Sequence, residues 1–357
     1  MQLLLSGFRN IAIDGNETIN RHHKSTTQRN QVRETVDAFS LDSIIQQFES
    51  SAHSKAYKLL GNGVEIDAKG TLNAHLLSMK PIVFVQQMTI IQHHLYKKIP
   101  TSEMLSKKYT DPERCPHLDL MRRWNHAVLN TLVLHRLTPS LFSSQVTNYL
   151  LNEILRCSTA ASRAEVLKFV LTCGFIAMET MNNFDLVVLI QGVLERTPIY
   201  RLKQSWERME KMLPNKRAEF KKSVGICGKN IGTLMNKSEP PMIPYLGTIM
   251  QWIMNNHEIP SVILTPSLSE SSMGTSTGAP IDEVNQQQQQ QQYRHLNISK
   301  HRHLAMIIQT FEVGQKIPYT IDLDLKILKS ILQPIQWNDE ESMQARSIEL
   351  EPIAKHT

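Results

Sequence analysis

The chain has 357 residues, 41% of them hydrophobic, enough to bury a sizeable core in one large domain or two smaller ones. No run of about 18 apolar residues occurs, and the opening MQLLLSGFRNIAIDGNETIN has neither a charged leader nor an apolar run long enough for a signal peptide, so a soluble cytoplasmic chain is expected. The formal charge of +6 is too modest to suggest a nucleic-acid partner, and Cys115, Cys157, Cys173 and Cys227 lie too far apart for a zinc knuckle or a disulfide framework.

Residues 1–66 are polar and patchy and read as mostly disordered, with one short helix from Val36 to Phe48. The folded part is expected from Asp67 onward, as one helical domain over 67–355. Apolar residues recur there at helical spacing, for example Val166, Phe169, Val170 and Cys173, with Ser162 and Glu165 placed as a capping box. No run of alternating strand residues interrupts the pattern, and the expected fold class is all-α. Residues 201–222 hold eight Lys or Arg against three Glu, which reads first as a solvated helix face and second as a surface for an acidic partner or an anionic membrane.

Residues 260–296 break the periodicity. Pro260 to Asn285 is rich in Ser, Thr, Pro and Gly and is followed by seven glutamines, Gln286 to Gln292, with too little apolar surface to offset the ordering entropy. Helical spacing returns at Leu304, Ile307, Ile308 and Phe311, and Gly314 is placed to end that helix. The segment is therefore an insertion between two helices.

The most informative stretch is PPMIPYLGTIMQWIMNNHEIP, residues 240–260. Leu246, Ile249, Met250, Ile253 and Met254 form one apolar stripe, and Glu258 lies one turn further on the same face. A packed base with a carboxylate at its tip suits a helix that reaches into a partner. The plainer reading is a surface helix whose terminal Glu is solvated.

Five segments in order resemble the Cdc25-homology catalytic domain of Ras-family guanine-nucleotide exchange factors. They are LLSMKPIVFVQQMTIIQHHLYKKI (76–99), the stretch from SRAEVLKFV to RLKQSWERM (162–209), PPMIPYLG with the helix after it, LNISKHRHLAMIIQTFEVGQKIPY (296–319) and SIELEP (347–352). The resemblance implies a helical hairpin that levers a switch segment of a small GTPase away from its nucleotide, with no covalent chemistry and no cofactor. It places Met254 at the GTPase's magnesium site and makes Glu258 the acid that competes with nucleotide phosphate. It also places Tyr245 and Val188 in an apolar pocket for a GTPase side chain, and Gly192, Glu195, Tyr200, Trp252 and Asn256 among the GTPase-binding positions. Asn182, Asn183, Arg163 and Arg201 match structural positions. The implied partner is a GTPase of Ras, Rap or Ral type, through which alone the chain would meet the inner membrane surface.

The chain departs from that family at Leu141 or Phe142, where an Arg is usual, at Glu195 in place of Asn, at Gly228 in place of a pocket aromatic, and at Ile259, which replaces a Gly-Asn pair. Losing an aromatic anchor costs on the order of 2 kcal/mol of binding. A silent GTPase-binding module, or a helical scaffold, therefore stays open beside active exchange. His22-His23, His93-His94 and His301 with His303 invite a metal reading, but adjacent histidines on a helix point about 100° apart and no acidic or cysteine cluster joins them, so no metal site is expected. No phosphate loop of the GxxxxGK type occurs, so the chain itself is not expected to bind nucleotide.

Overall fold

A computed structural model describes residues 75–106, 108–109, 111–125, 145–266, 292–324, 327, 337 and 339–352. The expectations for residues 1–66, for Leu141 and Phe142 and for 267–291 lie outside them. The chain divides into two units, Met1–Ala56 and Tyr57–Thr357, and every described residue belongs to the second. Among the described residues there are thirteen α-helices and one two-stranded ribbon, so the domain is all-α as expected.

The central helices follow from apolar residues spaced so that most of each helix is buried against its neighbours. Helix α1 (Pro81–Lys97) starts on a proline, whose fixed φ suits a first turn, and buries Phe84, Val85, Met88, Ile91, Leu95 and Tyr96. The short α2 (Thr101–Leu105) and α3 (Pro116–Asn125) follow, and α4 (Gln145–Arg156) leads to α5 (Ala160–Glu179). In α5 residues 166, 167, 169, 170, 171, 173 and 177 are all buried, the mark of a helix enclosed on several sides. It packs against α1, against α6 (Phe184–Glu195) and against α8 (Lys203–Met212), with the single turn α7 (Thr197–Tyr200) between the last two. The expected capping box at Ser162 and Glu165 is corrected. The helix starts earlier, on Thr159, whose hydroxyl accepts the Ser162 amide at 3.1 Å, while Glu165 pairs with Lys168 at the surface.

Helices α9 (Lys216–Val224) and α10 (Ile231–Met235) flank a 3₁₀ turn at Ile226–Gly228 and lead to α11 (Leu246–Glu258). Helix α12 (Ile298–Lys316) packs back along α11 and onto α1, giving the helical hairpin, and α13 (Glu340–Leu350) closes the domain against α4 and α7. Gly314 does not end α12, which runs on to Lys316 just before Pro318. A Cβ at 314 would lie 2.8 Å from the Met242 carbonyl oxygen and 3.0 Å from the Tyr96 hydroxyl, so glycine is there for close approach. The reading of 260–296 as an unstructured insertion is corrected at both ends. Val262–Pro266 (β1) and Gln292–Leu296 (β2) pair antiparallel, from Val262 opposite Leu296 to Pro266 opposite Gln292.

Buried polar groups lock the elements together. Arg163 donates to Ser205 Oγ, to the Cys157 and Ser158 carbonyls and to Glu351, and Arg201 donates to Ser347 and to the Glu351 carbonyl, which ties α5, α8 and α13. Burial raises the Glu351 carboxyl, but Ser205, Arg163 and the amides of Gln204 and Ser205 more than offset this and hold it below the usual range. The structural expectation for Arg163 and Arg201 is thereby met. Cys115, Cys157 and Cys173 are buried free thiols, and burial pushes Cys157 up to about 11. No described helix is long and apolar enough to cross a membrane.

Candidate functional site

The hairpin is positioned first at its base. Asn182 and Asn183 meet the incoming chain before α11. The Ile243 amide donates to the Asn182 carbonyl at 3.0 Å, the Phe184 amide donates to the Ile243 carbonyl at 2.9 Å, and the Asn182 side chain donates to the Glu239 carbonyl. Asn183 caps α6 through the Leu186 amide and donates to Thr89 and Gln92 of α1. These contacts agree with the structural role expected of both asparagines. His93 is also structural, lying 3.1 Å from the Gly314 carbonyl through its Nε2, and burial lowers it to about 4. Among the described residues no three His, Cys, Asp or Glu gather as metal ligands.

Along α11 the apolar stripe is split. Leu246, Ile249, Met250 and Ile253 are buried, whereas Met254 is 50% exposed and Glu258 is exposed at the last helical position. The continuous five-residue stripe is therefore corrected: four residues anchor and Met254 leaves the packed face. Tyr245, at the N-cap, is half-buried, and its ring covers Gly247, where a Cβ would stand 2.6 Å from the ring carbon bearing the hydroxyl. Trp252 is half-buried over Gly232 of α10, where a Cβ would lie 2.9 Å from the indole.

Asn256 does not reach the surface. It is 0% exposed, and neither polar atom of its side chain finds a hydrogen-bond partner among the described residues. Beyond it Lys300 of α12, itself buried, donates to the His257 and Ile259 carbonyls and to Ser261 Oγ. It thereby satisfies carbonyls that a helix end leaves open. Asn297 donates to the Pro260 carbonyl at 2.9 Å and caps α12 through the Lys300 amide.

A second group lies on α6 and its neighbours. Val188 is 1% exposed and packs beneath Gly228. Gly228 has φ 74, a conformation that suits glycine, and a Cβ there would come within 3.3 Å of Val188, so the absence of an aromatic follows from the turn itself. Gly192 is half-buried; Glu195 is exposed and paired with Lys221 at 3.1 Å. Tyr200 is 59% exposed, with the Arg217 guanidinium 5.3 Å from its ring and 3.6 Å from that of Trp206. Val188 under Gly228, and Gly232 under Trp252, place a short packed path between α6 and α11. Sequence reasoning missed Lys300, Asn297 and Gly232, since each acts on a partner brought close only by the hairpin.

These observations define an all-helical domain carrying a helical hairpin that is tied at base and tip and leaves an apolar and an acidic side chain free at its end. The RasGEF domain family model matches residues 83–302, and the chain belongs to that family. Ras-specific guanine nucleotide-releasing factor 1 of Mus musculus is 24% identical over 276 residues, covering 75% of this chain and 18% of that protein. Ras-specific guanine nucleotide-releasing factor 2 of the same species is 23% identical over 280 residues, covering 77% and 20%. Ras guanine nucleotide exchange factor E of Dictyostelium discoideum is 27% identical over 204 residues, covering 54% and 17%. The chain thus matches about a fifth of the length of these curated relatives.

Proposed function

We propose that this chain is a guanine-nucleotide exchange factor that promotes GDP release from a Ras-family small GTPase by inserting the tip of α11 beside the nucleotide site. The observation that carries the reading is the exposure of Met254 and Glu258 at the end of a helix whose other stripe residues are buried and whose ends are both hydrogen-bonded to neighbouring elements. Met254 excludes the GTPase's magnesium, and the Glu258 carboxylate takes over donors that otherwise hold phosphate. The factor binds the empty GTPase best and shifts the population toward it, so no bond is made or broken in the nucleotide. Tyr200 and Gly192 supply grip, and Tyr245 and Trp252 line the approach to the wedge. The exchange takes place in the cytoplasm, at the inner membrane surface when the GTPase is anchored there.

Release of a fluorescent GDP analogue from Ras, Rap, Ral and Rho-type GTPases tests this. Acceleration confined to the Ras branch is expected, slowed at least about tenfold by Glu258→Ala with helical content unchanged. Equal release with wild type and Glu258→Ala would refute the wedge. A silent binding module is favoured by one observation, the engagement of Glu195 by Lys221 on the gripping face. Tight binding of a nucleotide-free GTPase without accelerated release would select it.

A further inference from the structure

Glu258 is the last residue of α11, and the backbone on both sides of it is held from the start of α12. Lys300 Nζ donates to the His257 carbonyl at 3.4 Å, to the Ile259 carbonyl and to Ser261 Oγ at 3.0 Å, so the three donors of one ammonium meet three acceptors. Asn297 donates through Nδ2 to the Pro260 carbonyl and through its amide to the Ser261 carbonyl, each at 2.9 Å. Lys300 is 9% exposed and Asn297 8%, whereas Glu258, between the held residues, is exposed. A cation in that place also suits the negative end of the α11 dipole.

We propose that Lys300 is a positioning residue for exchange: by holding the backbone before and after Glu258, it sets the direction in which the Glu258 carboxylate is presented. This rests on the exchange reading above. The carbonyls at a helix end have no partner within the helix, and without a donor from elsewhere the last turn is free to fray. The last buried apolar residue of α11 is Ile253, more than one turn before Glu258, so apolar packing alone does not fix the tip. A rotation of about 30° in the backbone at 258 moves the carboxylate by about 2 Å, enough to break a hydrogen bond to its target. Methionine at 300 keeps an unbranched chain of similar reach and removes all three donors.

The test uses the full chain and the Ras-branch GTPase that it unloads fastest. Release of a fluorescent GDP analogue is followed against the concentration of folded factor to give a saturating rate and a half-saturating concentration. Lys300→Met is expected to lower the saturating rate about tenfold while half-saturation shifts less than about twofold. In a Glu258→Ala background the same substitution is expected to change the rate less than about twofold, since the group that it orients is gone. Equal losses in the two backgrounds, or a loss confined to half-saturation, would overturn the proposal. If Glu258→Ala slows release and Lys300→Met does not, the role of Lys300 falls alone; if wild type accelerates nothing, or Glu258→Ala releases as fast as wild type, the reading above falls and this role with it. Amide hydrogen exchange reads the contact without any GTPase. The Ile259 amide, bonded to the Asn256 carbonyl at 3.3 Å, and the Asn297 amide are expected to exchange about tenfold faster in Lys300→Met, with the amides of α5 unchanged. Unchanged protection at both, or faster exchange throughout the domain, would overturn the proposal.

Discussion

Removing the Arg163 guanidinium tests whether the body of the domain is held as described, independently of any GTPase. Arg163 is 1% exposed, with bonds of 2.8 Å to Ser205 Oγ, 3.1 and 3.0 Å to the Cys157 and Ser158 carbonyls, and 3.0 Å to Glu351. In Arg163→Ala the Glu351 carboxylate stays buried without its cation, and two carbonyls lose their donor. Breaking a buried pair from one side costs about 3 to 5 kcal/mol. Glu351 keeps the Ser205 hydroxyl at 2.6 Å and the Gln204 and Ser205 amides, which places the expected loss near the lower end, about 3 kcal/mol. Against a typical total of about 5 to 15 kcal/mol, such a loss moves a denaturation midpoint well outside measurement error.

The assay is urea unfolding followed by helical circular dichroism at neutral pH, on wild type, Arg163→Ala, Glu351→Gln and the double variant. A coupling energy of about 1 to 3 kcal/mol is expected, since the second substitution has little left to break. Exchange activity per folded molecule should stay unchanged. A loss under about 1 kcal/mol, or strict additivity, would refute the account of this network.

Two further predictions concern the hairpin. Replacing Asn256 by Leu removes two buried polar atoms that lack partners, and is expected to stabilise the chain by about 1 to 3 kcal/mol in the same urea experiment; a destabilised variant would mean that the amide is bonded in solution. Asp185, with its carboxyl raised from 3.8 to about 7, contributes stability that is fully present below about pH 4 and lost as pH rises through 7, on the order of 4 kcal/mol in all. His93, lowered from 6.5 to about 4, acts oppositely, its contribution being lost as pH falls from 6.5 toward 4. The difference between wild type and Asp185→Asn isolates the first effect: the variant should gain relative stability between pH 5 and about 8, and parallel pH profiles would refute the assignment.

The helical order of the domain was legible because it depends on neighbours in sequence. Three- and four-residue spacing placed α5, α11 and α12, and the charges and turn residues between them raised no competing strand. Cap positions were less legible. Thr159 rather than Ser162 begins α5, because two hydroxyl residues three positions apart both satisfy the local rule and packing chooses between them. Gly314 looked like a terminator, yet what it meets is a carbonyl 72 residues earlier in sequence and a tyrosine on α1, facts that no window around 314 contains. The strands at 262–266 and 292–296 were hidden because each is short and its partner lies across a glutamine run. At the site, Met254 and Glu258 are exposed whereas Val188 and Asn256 are buried, a difference the sequence does not show, since periodicity gives a residue's face and not what covers it.

The hairpin combines two kinds of force with different jobs. The buried stripe of Leu246, Ile249, Met250 and Ile253 supplies adhesion, which is proportional to area and indifferent to direction. Hydrogen bonds are directional, and they gather at the two ends of α11: the Ile243 amide and carbonyl at the base, and the carbonyls of His257, Ile259 and Pro260 at the tip. A helix gripped in this way has its angle set by groups on α6 and α12 rather than by the chain that links it to α12. This explains how a long linking segment is compatible with a fixed direction of α11. The ribbon from Val262–Leu296 to Pro266–Gln292 closes the link next to the helices, so the residues between 266 and 292 add only a slowly growing closure entropy. The length of that segment can then change without altering where Glu258 points, whereas loss of either end contact cannot be compensated by the apolar stripe alone.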